Sequence, residues 1–313
     1  MPALICGSVA YDTIMVFEDQ FKNHILSESV HILNVSFLVP KLRRENGGCA
    51  GNIGYNLKLL GEEPYIMATV GVDFISYAEH LKRCGIDQRY IRELPTAYTA
   101  QAFITTDIDD NQITAFHPGA MSFSHYNRIS DASDSAITLG IVSPDGREGM
   151  LEHAQQFNEA EIPFIFDPGQ GMPMFDGKEL NHFIDQAEWI ALNDYESQLL
   201  QQKCGDSLAD IAARVTTLVV TKGAEGAEIY HNGDSLLIPA ALTNEINDPT
   251  GCGDAYRAGL LYGIDHRLDW QQIGELAAVM GALKVEHHGT QNHTPSLDDI
   301  RQRCQESFGE SII

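Results

Sequence analysis

Asp248-Pro249-Thr250-Gly251-Cys252-Gly253-Asp254-Ala255-Tyr256-Arg257-Ala258-Gly259 is the stretch on which the reading of this chain turns. From Asp254 onward the pattern is helical, so Gly251, Cys252 and Gly253 form the turn that opens a helix. Successive N–H groups on such a turn point outward with no side chain in the way, and the helix dipole adds partial positive charge. The turn is an anion hole built from backbone. Asp254 falls in the first helical turn, where a carboxylate can accept the proton of a hydroxyl attacking a phosphoryl group. An Asp at this place is also the commonest kind of helix cap, and the short motif by itself does not separate the two roles. The Cys252 thiol, at a helix N-terminus, either has its thiolate stabilised or fills a small buried space.

Composition favours a phosphate site of this backbone kind. The chain has 313 residues, 43% of them hydrophobic, and a formal charge of −24 from 44 acidic and 20 basic residues. That length buries one large core, or a core plus a small appendage. The charge leaves no electrostatic footprint for nucleic acid or an anionic membrane surface, so the expected partners are small molecules, with monomer and homodimer both open. It also repels a nucleotide at long range, and binding must rest on amides, a helix N-terminus and a bound cation. The cysteines at 6, 49, 84, 204, 252 and 304 form neither a C-x-x-C pair nor a zinc spacing, which suits reduced thiols in a cytoplasm. Residues 1–17 are apolar but lack a basic n-region and a cleavage signal, and carry Asp12; they read as a first strand. No window approaches the roughly 18 apolar residues of a membrane helix.

Short apolar runs rich in β-branched residues (136–142, 163–166, 189–192, 218–221) alternate with helical patterns such as 146–158 and 207–214. This predicts an α/β fold with a largely parallel sheet, over a single domain spanning 1–313. Two regions break the rhythm. Residues 13–41 hold strand-like stretches at 13–17 and 29–39, and 98–106 and 112–117 flank a turn-forming cluster at 107–111. They predict a small, mostly antiparallel sheet over the carboxyl edge of the parallel strands, placed as a lid.

A second glycine cluster reads Asn46-Gly47-Gly48-Cys49-Ala50-Gly51-Asn52-Ile53-Gly54. A dinucleotide fingerprint would need a hydrophobic strand just upstream, and Pro40-Lys41-Leu42-Arg43-Arg44-Glu45 stands there instead. Together the two clusters resemble the paired signatures of the ribokinase (PfkB) family of sugar and nucleoside kinases. The family's second signature has an Ala where Cys252 stands, and Pro249 after Asp248 is a further departure; neither removes an N–H from the 251–253 turn. The resemblance implies a three-layer ribokinase-like fold: a mostly parallel central sheet flanked by helices, plus a small β-sheet lid. It assigns sugar hydroxyls to Gly47, Gly48 and Asn52, leaving Gly51 and Gly54 to helix packing. Asp12, in Cys6-Gly7-Ser8-Val9-Ala10-Tyr11-Asp12, would accept hydrogen bonds from two ribose hydroxyls, a task suited to a carboxylate with two oxygens and no donor.

The same resemblance extends to the nucleotide. Asn193-Asp194-Tyr195-Glu196 is similar to the family's Asn-x-x-Glu motif, which organises Mg2+ and its waters, and reads equally as a helix capping box. Thr221-Lys222-Gly223-Ala224-Glu225-Gly226 resembles the nucleotide loop, where Thr221, Gly223 and Gly226 would approach the phosphates of ATP while Lys222 stays solvated. His287, His288 and His293 lack a metal-ligand spacing and read as structural. The 277–285 helix with Gly289-Thr290 lies where relatives close over adenine and in some members hold a monovalent cation such as K+; Asp248 and Thr250 would face that cation. The lid stretches 99–103 and 114–121 resemble those of bacterial adenosine-kinase-like members, with Phe103 and Phe116 either flanking a purine or only packing the hairpin. The expected reaction is ATP-dependent phosphorylation of a ribonucleoside, first adenosine to AMP at the 5′-hydroxyl, with Asp254 as base. Another nucleoside, ribose or fructose is the alternative acceptor. A silent nucleotide-binding regulator is disfavoured by the retention of Asp254, the turn glycines, Asn193 and Glu196.

Overall fold

The structure is a computed structural model describing residues 2–25, 34–109 and 111–313. In chain order its strands are β1 (Ala3–Cys6), β2 (Ala10–Val16), β3 (Lys41–Gly47), β4 (Tyr65–Gly71), β5 (Ile91–Leu94), β6 (Ala100–Thr106), β7 (Gln112–His117), β8 (Leu139–Val142), β9 (Phe164–Phe166), β10 (Trp189–Asn193), β11 (Thr217–Thr221), β12 (Ala227–His231) and β13 (Asp234–Ile238). The helices are α1 (Cys49–Leu59), α2 (Ile75–Arg83), α3 (Arg147–Glu159), α4 (Gly177–Gln186), α5 (Asp194–Cys204), α6 (Leu208–Ala212), α7 (Cys252–Asp265), α8 (Trp270–Val285) and α9 (Leu297–Phe308).

Strands covered on both faces need apolar side chains at nearly every position, and the central strands of the large sheet follow this rule, whereas edge strands β5 and β13 carry exposed polar residues. Its order is β13-β12-β11-β10-β9-β8-β1-β4-β5, parallel from β11 to β5 with an antiparallel edge at β12 and β13. Alternate residues feed two cores. Ile5, Ile141, Ile165, Ala191 and Val219 pack with α1, α2, α7 and α8 on one face, whereas Leu4, Val142, Phe164, Phe166, Leu192 and Val220 pack with α3, α4 and α5 on the other. From β1 the chain adds β4 on one side and β8 on the other, so the switch point, and the crevice that follows from it, lies at the carboxyl end of β1.

The smaller sheet has the order β3-β2-β6-β7, with β2 parallel to β6 and the two outer pairings antiparallel. It corrects two expectations. Residues 1–17 are two strands in different sheets, because the chain breaks at Gly7 and Ser8: a Cβ on Gly7 would stand 2.0 Å from Ser143 Oγ, and the Ser8 N–H is taken by the Pro144 carbonyl at 3.0 Å. Asp12 therefore sits within β2 and not at the end of β1. The strand expected at 29–39 falls partly outside the described residues (29–33), and 34–39 are not strand. The partner of β2 is β3, a polar stretch whose first four residues are exposed. A strand exposed on both faces over four successive residues has no need of an apolar run, so hydropathy hid it.

Candidate active site

Gly7 and Ser8 leave β1 at the crevice and anchor the start of α1. The Ser8 carbonyl accepts from Ala50 N at 3.0 Å and its hydroxyl from Cys49 N at 3.1 Å, which satisfies two of the amides a helix leaves unpaired at its first turn. Gly48 has φ 85°, and a Cβ there would lie 2.6 Å from both Ser8 O and Ala10 N, so only glycine lets the helix begin this close to the β1–β2 junction. Gly47 faces Asp12 across the β2–β3 pair: its missing Cβ would stand 2.7 Å from Asp12 Oδ2. Burial, followed by the charges of Asp248 and Glu45, pushes the Asp12 carboxyl up to about 6. Such a group gains from hydroxyl donors that stabilise its charged form. The helix-packing roles of Gly51 and Gly54 are visible in contacts that a Cβ would make with the Tyr77 hydroxyl (2.1 Å) and Ile66 Cδ1 (2.8 Å).

One turn into α1, Asn52 reaches the other signature. Its Nδ2 donates to Asp254 Oδ2 at 2.8 Å and its Oδ1 accepts from Gln291 Nε2 at 2.9 Å; Gln291 also bonds the Tyr77 hydroxyl. With its oxygen and one amide hydrogen committed, Asn52 keeps a single N–H for a sugar hydroxyl. Burial pushes Asp254 up to about 7 against the Asn52 hydrogen bond; Asp167 raises it further, while Arg257 and Cys49 lower it. Gly251 opens α7 with φ 82°, and its own missing Cβ would touch Thr290 Cγ2 at 3.0 Å. The N–H groups of Gly251 and Gly253 meet no acceptor among the described residues, whereas that of Cys252 is turned back to the Pro249 carbonyl at 3.2 Å. Cys252 thus offers the turn no free amide, and burial pushes its thiol up to about 11, with Lys284 opposing and Asp248 and Asp254 adding to the rise.

Farther along the carboxyl edge, Asn193 and Glu196 form the capping box of α5, with Glu196 N to Asn193 Oδ1 at 2.7 Å and Asn193 N to Glu196 Oε2 at 2.8 Å. The Asn193 oxygen is thereby committed to an amide. Glu196 faces Asp167, and Arg257 binds Asp167 at 2.9 Å and lies 4.0 Å from Glu196. Burial and the Asp167 charge raise the Glu196 pKa. Two carboxylates gathered around Arg257 and near enough to feel each other's charge would suit a hydrated Mg2+, which keeps most of its waters and takes few protein ligands. In the 221–226 loop the Thr221 hydroxyl donates to Leu192 O at 3.2 Å and Lys222 pairs with Glu228 at 2.7 Å. Gly223 (φ 57°) has open space where its Cβ would be, as a phosphate-facing glycine requires. Gly226 does not: its Cβ would meet Ile238 O at 2.0 Å, so that glycine serves the close passage of β13.

The geometry bears on two further expectations. Asp248 Oδ1 accepts from Thr250 N and Oδ2 from Gly289 N, both at 2.9 Å, and the Asp248 carbonyl accepts from the Lys284 ammonium at 2.7 Å. Each Asp248 oxygen expected to face a monovalent cation already accepts one donor. On the lid, Asp12 pairs with Ala102, which pairs with Phe116, whereas Thr13 pairs with Phe103. Paired residues share a face and successive residues alternate, so Phe116 lies on the Asp12 face and Phe103 on the opposite one. A purine cannot lie between them.

Asp167, Arg257, Gln291 and Lys284 were not found in the sequence. Three left a signal: Asp167 directly follows the apolar run 163–166, Arg257 stands three residues after Asp254 on an otherwise apolar helix, and Lys284 interrupts the apolar run 277–285. Gln291, 239 residues from Asn52, left none. His293 is structural, buried with Nε2 2.8 Å from Asn56 Oδ1.

The profile described as pfkB family carbohydrate kinase matches residues 14–297. The chain is similar to the nucleoside kinase of Burkholderia thailandensis solved in complex with inosine, at 51% identity and a TM-score of 0.89 over 99% of each chain. The same enzyme solved with ADP-inosine gives 52% identity and a TM-score of 0.87 over 99% of this chain and 97% of that one. The nucleoside kinase of Methanocaldococcus jannaschii is 29% identical over 87% of this chain and 89% of that protein. Among the described residues no helix is long and apolar enough to cross a membrane.

Proposed function

This chain belongs to the pfkB family of carbohydrate kinases and is an ATP-dependent phosphotransferase, and we propose that its acceptor is the 5′-hydroxyl of a purine ribonucleoside, adenosine and inosine foremost. The observation that carries the acceptor class is the likeness, at half identity and nearly full length, to an enzyme that holds inosine. The geometry supports the chemistry. Asp12 and Gly47 receive the ribose diol, and the ionised Asp254 takes the 5′-hydroxyl proton. The freed oxygen bonds to the γ-phosphorus as the bond to the ADP oxygen breaks. Asn52 holds Asp254 by one oxygen, leaving the other for the proton. The Gly251 and Gly253 amides receive the charge on the transferring group, where fixed dipoles stabilise it most. Mg2+ held through water near Glu196 and Asp167, beside the Asn193 cap, would offset charge on the ATP phosphates.

The lid face that carries Asp12 also carries Ile14, Ala102, Ile104 and Phe116, an apolar strip suited to a base, with Glu45, Arg43 and Thr114 beside it. The test is a coupled assay for ADP release over adenosine, inosine, guanosine, pyrimidine nucleosides, ribose and fructose. Purine ribonucleosides should give the largest kcat/KM. A free sugar used tenfold better than every nucleoside would overturn the assignment.

A further inference from the structure

Lys284 stands in the last turn of α8 and is fully buried. A buried ammonium must have its donors accepted. Its Nζ donates to the Asp248 carbonyl at 2.7 Å and to the His287 carbonyl at 3.0 Å. These carbonyls belong to the two segments that flank the 251–253 turn. Asp248 leads into that turn, and the segment begun by His287 carries Thr290, whose methyl lies against Gly251. The same junction is closed by main-chain bonds, since Asn247 N and Asp248 N both donate to Val285 O (2.9 and 3.1 Å) and Gly289 N donates to Asp248 Oδ2 (2.9 Å). The Cys252 sulfur lies 4.0 Å from the Asp248 carbonyl that Lys284 holds.

Convergent main-chain carbonyls are the ligands that a hard monovalent cation takes, and here the tethered ammonium already receives them. We propose that Lys284 is the built-in cation of the anion hole: it ties residues 247–250 to residues 287–290 and supplies fixed positive charge behind the phosphate-binding turn, so that phosphoryl transfer by this chain needs no free monovalent ion. This reverses the expectation that Asp248 and Thr250 face K+. Lys284 acts as a positioning residue, through the loops and not by touching the nucleotide. Burial lowers the Lys284 pKa, and the Asp248 carboxylate opposes that shift without reversing it. The inference rests on the reading that the 251–253 turn receives the transferring phosphoryl group.

The test uses the full chain in K+, NH4+ or tetramethylammonium salts at one ionic strength, measuring turnover and, with no acceptor present, ADP affinity by calorimetry. Wild-type turnover and ADP affinity should agree within twofold in all three salts. Lys284→Met should lose at least tenfold in turnover and bind ADP more weakly, with both partly restored by K+ or NH4+ but not by tetramethylammonium. Activation of the wild type fivefold or more by K+ overturns the proposal. So does a folded Lys284→Met variant that is fully active in every salt, or one that stays inactive in every salt, which would show that a cation is not what the lysine supplies. Should the variant fail to fold in a thermal melt, the wild-type salt comparison decides. Because ADP binding is read without acceptor, a wrong acceptor class leaves that result untouched.

Discussion

At the phosphate end of the crevice, the 251–253 turn sits on a helix whose residues Ala255 to Leu261 are all buried, and Asp254, Arg257, Asp167 and Glu196 face one another within it. At the acceptor end, Asp12 stands on a four-stranded sheet whose outer strand β7 is exposed along its whole length. That sheet is tethered at its base, where Arg44 lies over the Tyr11 ring at 3.4 Å and pairs with Asp73 at 3.3 Å. The contrast separates two tasks. Stabilising a transferring phosphoryl group calls for dipoles that do not reorganise, and a large core holds them; admitting and covering an acceptor calls for an element that moves. Asn52 joins the ends, standing on the acceptor helix while bonded to the proposed base.

The largest effect should fall at the rigid end. Asp254→Asn keeps the shape and deletes the base, so kcat should drop by about 10²–10⁴-fold while ADP affinity by calorimetry changes little. A variant within tenfold of wild type would break the division of tasks drawn here.

Next in size is Asp12→Ala, expected to lower kcat/KM for a ribonucleoside by about 10²-fold, the range for a lost charge-assisted contact, with KM for ATP nearly unchanged. Equal use of adenosine and 2′-deoxyadenosine by the wild type would contradict a two-hydroxyl clamp.

The two ends should also share a pH limb. On the proposed chemistry both carboxylates act ionised, and burial raises Asp12 to about 6 and Asp254 to about 7, so kcat/KM should fall as pH drops through that window and level off above it. Asn52 donates to the ionised form of Asp254 and lowers its pKa. Asn52→Leu should therefore move the limb to higher pH, and a limb that stays in place or moves down would separate Asn52 from the base.

The smallest effect concerns the lid. Phe116→Ala should raise KM for a purine nucleoside several-fold, about what loss of one aromatic contact costs, and Phe103→Ala less than twofold. The reverse order, measured by steady-state kinetics, would show that the base lies on the other face of the sheet.

Much of the large sheet was legible, since strands buried on both faces must be apolar throughout: the 189–192 run is extended by one residue in β10 and 218–221 by one in β11. The lid was legible only where a turn cluster marked it, as at β6 and β7. Polar β3 escaped because its first four residues are exposed, and periodicity carries no signal where nothing selects for it. In the site, local motifs brought out the turn at 251–253, the start of α1 and the α5 cap, whose geometry involves neighbouring residues. Gln291 and the pairing of Arg257 with Asp167 escaped because they meet across 239 and 90 residues.

By itself the sequence determined what is set by short spans of chain: which helices open on glycine, where a carboxylate stands relative to that opening, and which strands are buried on both faces. Only the tertiary structure decided what each polar atom meets. Asn52 has turned to Asp254, the half-buried Cys252 thiol feels the charges of Lys284 and Asp248, and the two lid phenylalanines are on opposite faces. The reason is physical. Backbone conformation follows from residues within a turn of one another, whereas desolvation, hydrogen-bond partnership and charge depend on which distant segments the fold brings to the same place.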